Sequence, residues 1–396
     1  MSPLLSRRGT VSLRGVGLLE FASATNPLYY RSGDLEMVGI GEYKRLTASG
    51  AGRFETLASL WSEFIAVQPK EVRESLVAFG CGSFDPSGEA TLIIPTTLLA
   101  RNGRELTRID FAEPGSADAP LPETIGIGPK VEWPQIDSVY PKRVAAAIAR
   151  LGGDFKKVVM ARAITGRVVK AGDLRAPISR IGKTYPECHL FSIDGLWGAS
   201  PEKLIAANNG RVSARVLAGS AARGIDANAD RFAEQQLLTS QKDLEEHRFA
   251  VESVLSALKK SCRSLVSVKA PFTLGLANLW HLASDIEGVI KSEANLLGVI
   301  DLIHPTAAVA GVPTDRALEL IREIEAVPRG RFAGPVGWID GAQNGEWAIA
   351  LRCAEWRGEE IVAHAGAGIL EGSKPDSELA ETELKLMPVR AALQDN

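Results

Sequence analysis

Two pairs of acids stand at helical spacing in this 396-residue chain. In SQKDLEEHRF, Asp243 and Glu246 lie three positions apart, and in DSELAETELK so do Glu378 and Glu381. Each pair projects from one face of its helix, where like charges repel. Four carboxylates that converged would make an all-oxygen cluster, the donor set of a hard divalent cation such as Mg²⁺, which often also binds an anionic ligand. A solvated acidic face is the competing reading. A di-iron site is disfavoured because His247 directly follows Glu246, so the Glu-x-x-His spacing is missing. Lys157, at the head of the apolar run KVVMARAI, and Glu202, after proline in GASPEKL, are further candidates. Their bland readings are a snorkelling lysine and an acid that opens a helix turn. The AGAG segment at 365–368 could bring backbone N–H groups to an anion, and Arg352 nearby in sequence could add a bidentate carboxylate contact.

The elements that must carry these groups are legible from periodicity and breakers. Helices are expected at Phe54 to Ala66, at Val139 to Leu151 before Gly152 and Gly153, and as one long helix from Asn228 to Lys260. Shorter helices are expected at Asn295 to Ile303 and Thr314 to Glu325, and a last one from near Asp376. LVAFG (76–80) and ATLIIP (90–95) read as neighbouring buried strands. KVVMARAI (157–164), HLFSI (189–193), VSARV (212–216), PVGWI (335–339), EWAIALRC (346–353) and EIVAHA (360–365) continue the sheet pattern. Strands in antiparallel-looking groups, separated by helices without strict alternation, predict an α+β sandwich. Asp110 to Lys130, rich in Pro, Gly, Ala and acids, reads as a long surface connection.

Composition narrows the partners. With 45% apolar and 23% charged residues the chain is of ordinary globular type. Its 45 basic and 48 acidic groups leave a net charge of −3, without the basic field that nucleic-acid binding needs. Cys81, Cys188, Cys262 and Cys353 are isolated, so neither a zinc site nor a disulfide framework is expected, and a cytoplasmic setting fits. No apolar run approaches the ~20 residues of a membrane span. The start, MSPLLSRRGTVSLRG, reads as a frayed terminus rather than a transit peptide. GKT at Gly182 to Thr184 is rejected as a phosphate loop because Pro177 stands where the first glycine should be. No Gly-x-Ser-x-Gly elbow or His-Glu-x-x-His helix is present.

One ordered set of motifs carries more. KVVMAR (157–162), GASPEKL (198–204), LAGSAARG (217–224), QKDLEEH (241–247), LWHL (279–282), HPTAAVAGVP (304–313), GRFAGPVGW (330–338), GEWAIALRC (345–353), HAGAGIL (364–370) and ELAETELKL (378–386) together resemble the chorismate-utilising enzymes. That family comprises isochorismate synthases, salicylate synthases and the large subunits of anthranilate and aminodeoxychorismate synthases. The resemblance implies a chorismate-binding, anthranilate synthase component I-like fold of two facing antiparallel sheets flanked by helices. Residues 1–130 would supply part of the sandwich and residues 131–396 the catalytic region, in one structural unit.

The resemblance also implies roles. Lys157 falls on the general base for water and Glu202 on the general acid for the departing 4-hydroxyl. Glu246 and Glu381 fall on Mg²⁺ ligands, with Asp243 and Glu378 on positions that support the metal; Asp243 departs from the glutamate of several relatives. Gly219, Ser220, His281, Ala308, Phe332, Arg352, Gly366 and Lys385 fall on the substrate pocket, Arg352 and Gly366 at the enolpyruvyl carboxylate. Such a base must be a neutral amine and such an acid a protonated carboxyl at pH 7, which demands burial of both. Ala308 in HPTAAVAG matches the isochorismate synthases, whereas members that use ammonia or eliminate pyruvate usually carry threonine; Ala307 departs from the commoner proline. The implied activity is conversion of chorismate to isochorismate for menaquinone or siderophore biosynthesis, with salicylate synthase and anthranilate or aminodeoxychorismate synthase component I as alternatives. No amidotransferase subunit is expected, and the chain would be a monomer or homodimer.

Overall fold

The computed structural model describes residues 5–9, 16–112, 121–134, 139–268 and 270–394. Two large antiparallel sheets face one another, with helices outside them. The central strands of the twelve-stranded sheet run in the order His189–Ile193, Leu196–Ser200, Cys353–Arg357, Glu360–Ile369, Lys157–Lys170. The ten-stranded sheet has Leu279–Ile290, Arg211–Ala222, Lys203–Asn208, Gly345–Ile349, Pro335–Asp340 and Val77–Gly82 as neighbours in that order. N-terminal strands enter both: Leu28–Ser32 and Leu35–Ile40 join the first, while Lys44–Ser49 and Glu89–Ile94 join the second.

The inner faces of the sheets share one apolar core. Helix Arg53–Ala66 supplies Phe54, Leu57, Ala58, Trp61 and Phe64, the three- and four-residue spacing of a single buried stripe. Phe54 meets Trp347 of the second sheet edge to face, with ring centroids 5.6 Å apart. Replacing Trp61 or Trp347, both fully buried, with alanine should cost about 3–5 kcal/mol in lost contacts and cavity.

Two elements differ from the expectation in ways that matter for the site. The long helix is two, Ala227–Thr239 and Gln241–Ser261, because Ser240 leaves the helical region with φ −68° and ψ 113°. Its hydroxyl accepts from the Asp243 N–H, capping the second helix and starting afresh the turn that carries Asp243 and Glu246. EWAIALRC is likewise not one strand. Gly345–Ile349 belongs to the second sheet and Cys353–Arg357 to the first, and Arg352 between them has φ +48°.

Other segments are extended or relocated. The KVVMARAI and VSARV strands run on to Lys170 and Ala222. GKT lies at the end of an ordinary helix, Arg175–Thr184. Of the expected connection at 110–130, residues 113–120 lie outside the described residues, as does most of the MSPLLSRRGTVSLRG terminus. The remainder of that connection is pinned: Glu123 N–H donates to the Glu20 carbonyl and Gly126 N–H to Asp173. All four cysteines are buried and free. No helix among the described residues is long and apolar enough to cross a membrane.

Candidate active site

Two adjacent crossings of the chain from one sheet to the other each carry a candidate residue. Leu196–Ser200 in the first sheet leads through Pro201 and Glu202 into Lys203–Asn208 in the second; Gly345–Ile349 in the second leads through Arg352 back to the first. The crossings are bonded side by side. Ser200 Oγ donates to the Ile349 carbonyl at 2.5 Å, Ile349 N–H to the Glu202 carbonyl at 3.0 Å, and Ala199 N–H to the Arg352 carbonyl at 3.2 Å. Both side chains thus open on one cleft between the sheets.

Burial governs the electrostatics of this cleft. Glu202 is 3% exposed, and burial raises its carboxyl to about 8 despite the opposing pull of a backbone N–H and of Lys157, Arg352 and Lys385. At neutral pH it is a protonated acid. His281 is pushed well below its usual value by burial first, then by the charges of Arg352 and Lys385, so its ring is neutral. Its Nε2 therefore accepts from Arg352 Nη2 at 3.1 Å, a tautomer consistent with the other ring nitrogen donating to the Gly219 carbonyl.

Gly219 and Ser220 sit on a β-bulge. The register of Arg211–Ala222 against Leu279–Ile290 shifts between Leu217 and Ser220, and Gly219 takes φ +82°. A Cβ at Gly219 would lie 3.0 Å from that of Asp243. The bulge aims Ser220 Oγ at Glu381 Oε1, 2.9 Å away, and Lys385 binds the same oxygen while donating to the Gly366 carbonyl at 2.9 Å.

Lys157 is wholly buried and stands behind the cleft wall rather than on it, with Nζ 3.1 Å from Glu246 Oε1. Burial raises the Glu246 carboxyl, but Lys157, Lys385 and Lys242 together hold it below its usual value. Gly368 makes this pair possible: a Cβ there would fall 2.1 Å from Glu246 Oε1 and 3.1 Å from Lys157 Cε. Glu202, Gly219, Ser220, Glu246, His281, Ala308, Phe332, Arg352, Gly366, Glu381 and Lys385 line the cleft, whereas Asp243 and Glu378 lie beyond its wall. Phe332 is held by stacking on His364, ring centroids 5.3 Å apart.

The four acids reach one region without forming a ready ligand cluster: among the described residues no three Asp, Glu, His or Cys side chains are grouped to hold an ion. Each has a partner instead. Lys157 takes Glu246, Lys385 and Ser220 take Glu381, Lys242 takes Glu378 at 2.9 Å, and Ser240 takes Asp243. The set nevertheless suits a hard cation. Asp243 is raised by burial and by the charges of Glu246 and Glu381, and Glu378 by burial and by Glu381, so these carboxylates feel one another's charge. Lys242, Val309 and Arg329 were not singled out in the sequence reading, and Gly368 was read there only as part of an anion-binding AGAG segment; Lys242 stands inside QKDLEEH, but its partner is 136 positions away.

Comparison with known proteins agrees with this geometry. The chorismate binding enzyme family matches residues 130–394. The chain belongs to this family. Across its length it is similar to the vibriobactin-specific isochorismate synthase of Vibrio cholerae, 30% identical over 95% of this chain and 93% of that one. It is also similar to isochorismate synthase EntC of Escherichia coli, 34% identical over 78% and 79% of the two chains. Among solved structures, a putative 2,3-dihydroxybenzoate-specific isochorismate synthase, DhbC, from Bacillus anthracis superposes with a TM-score of 0.82 at 28% identity, over 95% and 98% of the chains. Anthranilate synthase component I from Streptococcus pneumoniae, 18% identical with a TM-score of 0.72 over 90% and 92%, shares the fold. Within this family, the two-sheet sandwich expected from the motifs is the observed architecture.

Proposed function

We propose that this chain is a Mg²⁺-dependent isochorismate synthase, interconverting chorismate and isochorismate for menaquinone or siderophore biosynthesis. The observation that carries the reading is Glu202: a buried, protonated carboxyl on the wall of a cleft that also presents Arg352, Lys385 and the Gly366 strand. Water adds at C2 of the ring, the double bonds shift, and the C4–O bond breaks. Glu202 donates its proton to the departing hydroxyl, which leaves as water, and Lys157 takes the proton of the attacking water. For that, Lys157 must leave Glu246, its partner at 3.1 Å, and reach into the cleft past the wall behind which it stands.

Arg352 and the backbone around Gly366 hold a carboxylate of the dianionic substrate, and His281 keeps the guanidinium aimed. Glu246 and Glu381, supported by Asp243 and Glu378, would hold Mg²⁺, which supplies positive charge for substrate carboxylates. Four free, buried cysteines fit work in a reducing cytoplasm, and water as nucleophile removes the need for an amidotransferase subunit. Incubating the purified chain with chorismate and Mg²⁺, without ammonia, and separating products by chromatography tests the reading. Isochorismate alone supports it. Salicylate with pyruvate, or anthranilate formed only when ammonia is added, would assign another branch of the family.

A further inference from the structure

The strand that begins with Lys157 loses its neighbour on one edge after Val158, while Val159 stays paired with Gly368 on the other. The two-residue strand Gly311–Val312 pairs with Lys157 and Val158, and Val159 N–H still reaches the Ala310 carbonyl at 2.7 Å. Beyond that point a side-chain ion pair continues the ladder. Arg329 Nη2 donates to the Val159 carbonyl at 2.7 Å, and Glu325 Oε1 accepts from the Ala161 N–H at 2.7 Å. The same guanidinium donates through Nη1 to the Val309 carbonyl at 2.7 Å, binds Glu325 through Nε and Nη2, and lies 4.1 Å over the Phe84 ring. Both side chains are at least nine-tenths buried, and Arg329 lines the cleft beside Ala308 and Val309.

We propose that Glu325 and Arg329 form a positioning pair for the reaction, fixing the Ala308–Val309 wall of the cleft against the strand that carries Lys157. The inference rests on the isochorismate synthase reading for its kinetic consequence, but its geometry is independent of that reading. Lysine at 329 can keep the ion pair with Glu325, yet it lacks the planar fork that reaches Val159, Val309 and Glu325 together. Arginine is thus required for register rather than charge.

The decisive comparison sets the double variant Glu325→Leu/Arg329→Met beside Arg329→Lys. Apolar replacement of both partners avoids leaving one buried charge alone. Since a displacement of about 1 Å at a reacting group can cost 10²-fold, kcat should fall roughly 10- to 100-fold in the double variant and in Arg329→Lys, with KM changed less than about threefold. If the double variant does not fold, Arg329→Lys decides.

Amide hydrogen exchange across 306–310 supplies a readout independent of turnover. It should accelerate at least about tenfold in Arg329→Lys while the strand Glu360–Ile369 stays protected. Unchanged kcat in the folded variants, or unchanged exchange in that segment, overturns the positioning role. A wild-type chain that does not convert chorismate removes the activity reading alone, and exchange then still decides the pair.

Discussion

Arg352 Nη2 lies 3.1 Å from His281 Nε2, joining the crossover between the sheets to a strand inside the second one. The guanidinium is buried, its Nε has no partner among the described residues, and it approaches the cleft from a left-handed backbone position. A neutral imidazole is the acceptor that fixes the direction in which the remaining N–H groups point.

His281→Ala should therefore weaken chorismate binding more than it slows chemistry. A hydrogen bond to a charged group contributes about 1.5–3 kcal/mol, so KM should rise roughly tenfold or more, with kcat reduced less. Steady-state kinetics provides the check, and an unchanged KM would show that Arg352 is held without its neighbour.

Glu202 ties activity and stability to pH in the same window. Activity should fall as pH rises through about 8, where the carboxyl gives up the proton it must donate. Glu202→Gln should lower kcat by about 10²–10⁴. Stability follows the sign of the shift: the native chain holds a proton that the unfolded chain releases from 4.5 upward, so the contribution is complete below 4.5 and lost as pH climbs toward about 8. In thermal melts the variant should gain on the wild type steadily across that interval; parallel curves would place the ionisation elsewhere.

Gly368→Ala tests the Lys157–Glu246 pair without touching either residue. The added methyl would fall 2.1 Å from Glu246 Oε1, forcing the carboxylate away. Overpacking of this kind costs about 1–3 kcal/mol, so the variant should fold but lose most of its turnover. Wild-type rates in a folded Gly368→Ala protein would mean that the pair is irrelevant to chemistry.

Lys242 is the counter-ion of Glu378, which is 2% exposed. Lys242→Ala should lower the melting temperature of the metal-free protein, since a buried carboxylate loses its partner. Mg²⁺ should raise that melting temperature more in the variant than in the wild type. Equal Mg²⁺ shifts in the two proteins, or none, would argue against a cation among these acids.

Much of the site was legible because its residues lie in short motifs on regular elements. Lys157 heads an apolar strand, and Glu246 and Glu381 sit one helical turn from their acidic neighbours. What periodicity hides is the relation between distant segments. EWAIALRC carries an unbroken apolar pattern, yet it turns from one sheet to the other at Arg352, because Ser200 and Glu202 on the neighbouring crossing take the backbone bonds of Ile349. Ser240 splits a run of good helix formers by capping. The lysines that answer the acids, Lys157 for Glu246 and Lys242 for Glu378, come from other elements, so a cluster inferred from carboxylates alone overstates its readiness for a metal. The N-terminal strands contribute to both sheets without motifs to announce it.

The central claim is that water attacks the ring while Glu202 releases the C4 hydroxyl. Initial-rate conversion of chorismate in H₂¹⁸O, read by mass spectrometry of the product, tests it most directly. The account predicts isochorismate carrying one ¹⁸O at the C2 hydroxyl, formed about 10²–10⁴ times more slowly when Glu202→Gln replaces the wild type. Unlabelled isochorismate, or no isochorismate from the folded wild-type chain, would contradict it.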